Sequence, residues 1–190
     1  MTLYLIRHGE STANAGHLHA GWAQISLSAA GRAQAEKAGK LIAGIPFERV
    51  ISSDLKRAEE TCCLALPGRE YEKEPLIREI SVGSLSGKNA EECATLYGEL
   101  YADNKRVQNF VPFGGEDRTA LLERISAFMR KAETFQEMNV AVFTHEGVLR
   151  GMLDLVLGEQ DRNRVVCGNC CIAVFEYAKG SWRLYSWMNQ

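Results

Sequence analysis

Residues 2–9 read Thr2-Leu3-Tyr4-Leu5-Ile6-Arg7-His8-Gly9. A run of β-favouring and apolar residues that stops abruptly at Arg, His and Gly reads as a short strand, buried on both faces, ending in a polar turn. Strands of this kind belong to parallel sheets covered by helices. The chain beyond repeats the theme. Ser28 caps a helical segment whose Ala30, Gln34, Ala38, Leu41 and Ile42 share one face, and Arg49 to Ser53 forms a second strand. Asp54 then has the character of an N-cap, followed by a stripe of Leu55, Ala58, Cys62 and Ala65 up to the helix-ending Pro67-Gly68.

Farther on, the pattern weakens between Tyr71 and Tyr101, with a short strand at Tyr71 to Lys73, a glycine-punctuated loop from Ile80 to Gly87 and a helix after Asn89. It returns after Gly114-Gly115, where Leu121, Leu122, Ile125, Phe128, Met129 and Ala132 make the clearest amphipathic helix. A strand at Asn139 to Thr144 and a helix from Val148 to Leu157 follow. Two β-rich runs, Cys171 to Tyr177 and Trp182 to Trp187, are joined through Lys179-Gly180 as a hairpin. Alternating strands and helices of this length predict an α/β three-layer sandwich, with a mostly parallel central sheet flanked by helices. At 190 residues the chain is expected to be one domain, 1–190.

Composition narrows the function. A hydrophobic content of 46% supports a substantial core, and a formal charge of -2 lacks the basic excess that nucleic-acid or anionic-membrane binding favours. No apolar run approaches the roughly 20 residues needed to cross a bilayer. The run at Thr2–Ile6 is too short, and lacks the basic leader, to be a secretory signal. The expected setting is therefore cytoplasmic, with the six cysteines as reduced thiols. Cys167 and Cys170 have CxxC spacing, but no second ligand pair stands at motif distance, so no metal is expected. Aromatics such as Trp182 or Trp187, if exposed, suit a homodimer contact.

In an open parallel sheet, ligands bind where strands end and helices begin. Here the first strand delivers Arg7 and His8, the second leads through Ser52-Ser53-Asp54 to Arg57, and the strand ending at Thr144 delivers His145. Taken singly, Arg57 reads as a solvent-facing helix arginine and either histidine as a hydrogen-bonded loop or core residue. Taken together they make an anion site, because guanidinium donors match phosphate oxygens and helix N-termini add backbone N–H groups. Neutral imidazole is also a suitable nucleophile toward an anionic phosphomonoester.

At these residues the sequence resembles the histidine phosphatase superfamily, also called the phosphoglycerate mutase-like family. The resemblance runs through LYLIRHGES, Asn14, Gly21-Trp22, Leu27-Ser28-x-x-Gly31-x-x-Gln34-Ala35, SSDLKRAEET, Glu79 with Gly83 and Gly87, Gly114-Gly115-Glu116 and FTHEGVLR. It implies a phosphoglycerate mutase-like fold and hydrolysis of a small phosphorylated metabolite without metal or cofactor. By position, His8 would become phosphohistidine. Arg7, Arg57 and His145 would hold the phosphoryl oxygens, with His145 protonated. Asn14 would orient the group, and Glu79 would be the general acid and base. Gly21, Glu146 and Gly147 would also border the bound phosphate. Relatives of this length include α-ribazole phosphatases, sugar phosphatases and broad-specificity phosphatases. Phosphoglycerate mutase-type transfer and a non-catalytic phosphate binder are the alternatives.

Two positions depart from the family pattern. Glu146 stands where glycine is common after the second histidine, and a carboxylate there is unwelcome unless it points away or pairs with a base; a solvent-facing position is expected. The loop SVGSLSG, residues 81–87, lacks the aromatic and acidic residues many relatives carry.

Overall fold

The computed structural model describes residues 1–158 and 165–189, so 159–164 and 190 of the expected 1–190 domain lie outside the description. Six strands form one sheet: β1 (Thr2–Arg7), β2 (Arg49–Ser52), β3 (Glu72–Lys73), β4 (Asn139–Thr144), β5 (Ile172–Ala178) and β6 (Ser181–Met188). Their order is β3-β2-β4-β1-β5-β6. The first four positions in that order pair in parallel, and β5 and β6 run antiparallel, as a hairpin must. Lys179 and Gly180 both take positive φ, 53° and 76°, the paired left-handed geometry that closes a two-residue hairpin turn.

The helices are α1 (Thr12–Ala15), α2 (Ala29–Ile42), α3 (Lys56–Ala65), α4 (Ala90–Tyr97), α5 (Glu99–Val107), α6 (Arg118–Ala132) and α7 (Glu146–Leu157). The two-residue period of a strand assigns them to layers. Leu3 and Leu5 join Val140, Val142, Ala173 and Phe175 against Ile125, Phe128 and Leu149 of α6 and α7. Ile6 joins Ala141, Phe143, Ile172 and Val174 with Ile42 of α2 and Cys62 of α3. Both faces of β1 are thus covered, and Leu3, Leu5 and Ile6 are completely buried. The result is an α/β sandwich. No helix among the described residues is long and apolar enough to cross a membrane.

Several local expectations are corrected. The buried face of α2 is Gly31, Ala35, Ala38, Gly39 and Ile42, whereas Ala30 and Leu41 are exposed. The reason is close backbone approach. A Cβ on Gly31 would lie 1.9 Å from the Glu10 carbonyl oxygen, and one on Gly39 would lie 2.4 Å from that of Ala65. Asp54 does not cap α3; Leu55 holds that position without a side-chain cap, and Asp54 accepts both forks of Arg78. α7 begins at Glu146, two residues earlier than expected, so His145 stands at the strand–helix junction. Trp182 and Trp187 are only partly exposed. They pack on the core and donate to Glu133 Oε1 and the Val166 carbonyl, each keeping part of its ring at the surface.

Candidate active site

Arg7, His8, Asn14, Gly21, Arg57, Glu79 and Glu146 line one cavity of about 230 Å³ at the carboxyl ends of β1, β2 and β4. His145, completely buried, sits behind His8, their ring centroids 5.1 Å apart.

The tautomer of His8 follows from its neighbours. Its Nδ1 lies 2.7 Å from the Gly9 carbonyl, which can only accept, and its Nε2 lies 3.2 Å from Arg57 Nε, which can only donate. Nδ1 therefore carries the proton and Nε2 presents a lone pair. Burial, then the charges of Arg57 and Arg7, push the imidazole well below its usual pKa, with only the Gly9 carbonyl opposing. His8 is neutral at physiological pH.

Arg57 is 1% exposed and keeps its charge, although burial lowers its pKa to about 10. A buried guanidinium needs acceptors. The Gly21 carbonyl takes Nη2 at 2.9 Å and the Ala23 carbonyl takes Nη1 at 3.2 Å, which fixes the plane of the side chain. The Thr61 hydroxyl donates to the Arg57 carbonyl at 2.7 Å and accepts the Gly9 N–H at 3.1 Å, tying α3 to the turn that carries His8. Gly21 thus acts by spending its carbonyl on Arg57. Arg7 donates Nη1 to the Cys167 carbonyl, and its Nη2 lies 3.2 Å from Glu146 Oε2. Its Nε is buried without a partner.

Glu146 is not simply solvent-facing. It bridges Arg7 and Arg150, the latter at 2.7 Å one helical turn along, and so a carboxylate beside an anion site is compensated by two guanidiniums. His145 Nε2 meets Ser53 Oγ at 2.8 Å, and its Nδ1 is buried without a partner. Burial and then Arg57, His8 and Arg7 hold its pKa well below the usual value. These surroundings favour neutral His145, whereas the protonated form expected from the sequence needs an anion beside the ring.

Glu79 does not pair with adjacent Arg78, which is engaged by Asp54. Its carboxylate accepts from the Ile80 N–H at 2.9 Å and from the Gly147 N–H at 3.3 Å. A Cβ on Gly147 would come 2.1 Å from Glu79 Oε1, so that position must be small for Glu79 to sit where it does. Arg124 donates to the Glu79 carbonyl and to Glu116, bracing the segment from behind. Asn14 accepts from the Ser11 N–H and hydroxyl through Oδ1, which leaves its Nδ2 hydrogens available to an anion.

Several wall residues carry no motif and escaped the sequence reading: Leu18, His19, Val82, Gln108 and Phe110. Ser53 and Thr61 were also missed as supports, although both are completely buried polar groups, the one signal that marks them.

Comparison with known proteins agrees with this geometry. The profile described as histidine phosphatase superfamily (branch 1) matches residues 3–190. Adenosylcobalamin/alpha-ribazole phosphatase of Salmonella typhimurium is 33% identical over 78% of this chain and 76% of its own length. The 2,3-bisphosphoglycerate-dependent phosphoglycerate mutase 2 of Gloeobacter violaceus is 30% identical over 92% of this chain and 85% of its own. Among solved structures, the alpha-ribazole phosphatase of Shigella flexneri superimposes with a TM-score of 0.90 at 26% identity, covering 98% of this chain and 96% of that one. With the profile spanning nearly the whole sequence and the Arg7, His8, Arg57 and His145 cluster in place, the chain belongs to the histidine phosphatase superfamily.

Proposed function

We propose that the protein is a metal-independent phosphomonoesterase that transfers the phosphoryl group of a small metabolite to Nε2 of His8. The observation that carries this reading is the tautomer: Nδ1 is held protonated by the Gly9 carbonyl, and a buried, neutral Nε2 faces two guanidiniums. An arriving phosphate takes over the Arg57 Nε donor and releases the lone pair for attack.

The Nε2–P bond forms as the P–O bond to the alcohol breaks, and Glu79 in its acid form protonates the departing oxygen. Arg7, Arg57, Asn14 and His145 donate to the equatorial oxygens, where charge is spread in the transition state. The orphaned Nε of Arg7 and Nδ1 of His145 are the groups most in need of such a partner. Glu79, now a carboxylate, takes a proton from water as the water oxygen attacks phosphorus and the P–Nε2 bond breaks. The products are alcohol, inorganic phosphate and the original enzyme.

The relatives support alpha-ribazole 5′-phosphate as a first substrate to test, with a broader set of metabolite phosphates beside it. Similarity to a phosphoglycerate mutase favours a second reading, in which phosphohistidine returns its phosphoryl group to another hydroxyl. The deciding experiment is metal-free turnover with trapping of the phosphoenzyme, beside a coupled 3- to 2-phosphoglycerate assay. His8→Asn is expected to lose both turnover and the label. Full activity in that variant would sink the mechanism, and efficient isomerisation of phosphoglycerate would establish the mutase.

A further inference from the structure

Away from His8, the cavity wall changes character. Leu18, Ala20, Ile80, Val82 and Phe110 add apolar surface to it beside His19, and Gln108 enters it from the C-terminal cap of α5. Gln108 is unusual twice over. Its Oε1 is buried with no hydrogen-bond partner, and its backbone is left-handed, with φ 54° and ψ 44°. Left-handed backbone is uncommon outside glycine and asparagine, and a buried orphan acceptor is destabilising, so two independent costs converge on one side chain.

The surrounding charges limit what can satisfy it. Arg7 and Arg57 are the only cations that line the cavity among the described residues, and both belong to the phosphoryl end. Nearby Arg78 is engaged by Asp54, and Arg124 by Glu116 and three backbone carbonyls. Lys105 lies 5.2 Å above the Tyr101 ring, whose hydroxyl meets His19 Nε2 at 2.7 Å. Burial and then Lys105 lower the pKa of His19, which leaves it neutral at physiological pH. With Arg7 also paired to Glu146 and both arginines directed to the phosphoryl group, the described wall of the cavity offers no further cation to a second anionic group. A hydroxyl suits Gln108 in either orientation of its amide, because it donates to Oε1 or accepts from Nε2. A carboxylate or a dianionic phosphate can only accept, and so leaves Oε1 without a partner.

Resting on the phosphatase reading above, we propose that Gln108 is a specificity residue whose amide holds a hydroxyl of the leaving alcohol. The substrate is then the phosphomonoester of a neutral, polyhydroxylated alcohol, its C–H surface lying against Phe110 and Val82. Esters whose leaving group carries a second phosphate or a carboxylate are disfavoured.

The test compares kcat/KM for ribose 5-phosphate, glucose 6-phosphate and glycerol 1-phosphate with that for hydroxyl-free p-nitrophenyl phosphate and for 3-phosphoglycerate. The variants are Gln108→Leu and Gln108→Asn; asparagine tolerates the left-handed backbone while withdrawing the amide by one methylene. Both variants should lose at least about tenfold on the best polyol ester and stay within about twofold on p-nitrophenyl phosphate, the pattern expected when a hydrogen bond to the leaving group is removed. Parallel losses on every ester in both variants would make Gln108 structural and overturn the assignment, as would no loss on any. Faster turnover of 3-phosphoglycerate than of every polyol ester in the wild-type protein would overturn the substrate class while leaving the His8 chemistry standing. Wild-type protein inactive on all five, with no phosphoenzyme, would instead bring down the phosphatase reading and this one with it.

Discussion

Replacing Gly147 by alanine should disable proton delivery by Glu79 while leaving the phosphate cradle intact. An added Cβ would sit 2.1 Å from Glu79 Oε1, whereas ordinary contact begins near 3.4 Å, so the carboxylate must retreat by about 1.3 Å. A misplacement of about 1 Å can cost roughly 10²-fold, and a positioned acid contributes roughly 10²- to 10⁴-fold, so a loss of about 10²-fold is expected. The fold should not suffer. Gly147 lies in the first turn of α7, where alanine is favoured over glycine by about 0.5–1 kcal/mol, and the displaced group is the free end of a side chain. The assay is kcat/KM for a sugar phosphate and for p-nitrophenyl phosphate, since this ratio reports the first phosphoryl transfer. A departing alkoxide needs the proton and nitrophenolate needs little of it. The sugar phosphate should therefore lose about 10²-fold and the nitrophenyl ester less than about tenfold, with inhibition by inorganic phosphate unchanged and thermal stability no lower. Equal losses on the two esters, or none on either, would refute Glu79 as the acid that Gly147 positions.

Two further expectations concern the histidines. His8 and His145 are held neutral in the folded protein, with pKa values below the unfolded one near 6.5, so the unfolded chain binds more protons between those limits. Their contribution to stability is complete above about pH 6.5 and is lost as pH falls toward the folded values, at about 1.4 kcal/mol per pH unit for each histidine. Denaturant titrations should show stability falling ever more steeply as pH drops from 6.5 to 5.5, and His8→Asn should reduce that slope by the share of one histidine; an unchanged slope in that variant would contradict the assigned neutrality of His8. Ser53→Ala removes the group that meets His145 Nε2, leaving both ring nitrogens unpaired in a buried site. A stability loss of about 1–3 kcal/mol is expected, with weaker binding of inorganic phosphate. Unaltered phosphate inhibition in the alanine variant would show that Ser53 does not position His145 for the anion.

Much of the architecture was legible locally. The apolar run Thr2–Ile6, the pattern of Leu121, Ile125, Phe128, Met129 and Ala132, and the cap at Ser28 each depend on neighbours within a few residues, and the structure places strand, helix and cap there. The collection of Arg7, His8, Arg57 and His145 at strand ends followed from topology alone, because parallel strands deliver their carboxyl ends to one edge. Other features required the folded chain. The buried face of α2 is set by how closely Gly31 approaches Glu10 and Gly39 approaches Ala65, contacts that hydrophobic periodicity does not encode.

The same division runs through the site. The sequence by itself determined the fold class and the residue types that gather at the strand ends, since both arise from short-range pattern and strand order. Only the tertiary structure decided that Glu146 pairs with Arg7 and Arg150, that Gly147 makes room for Glu79, and that Gln108 brings an unpaired amide into the cavity. Those outcomes depend on distances between side chains on separate elements. Coulomb attraction, steric exclusion and hydrogen bonding act over a few ångströms of space, whatever the separation along the chain.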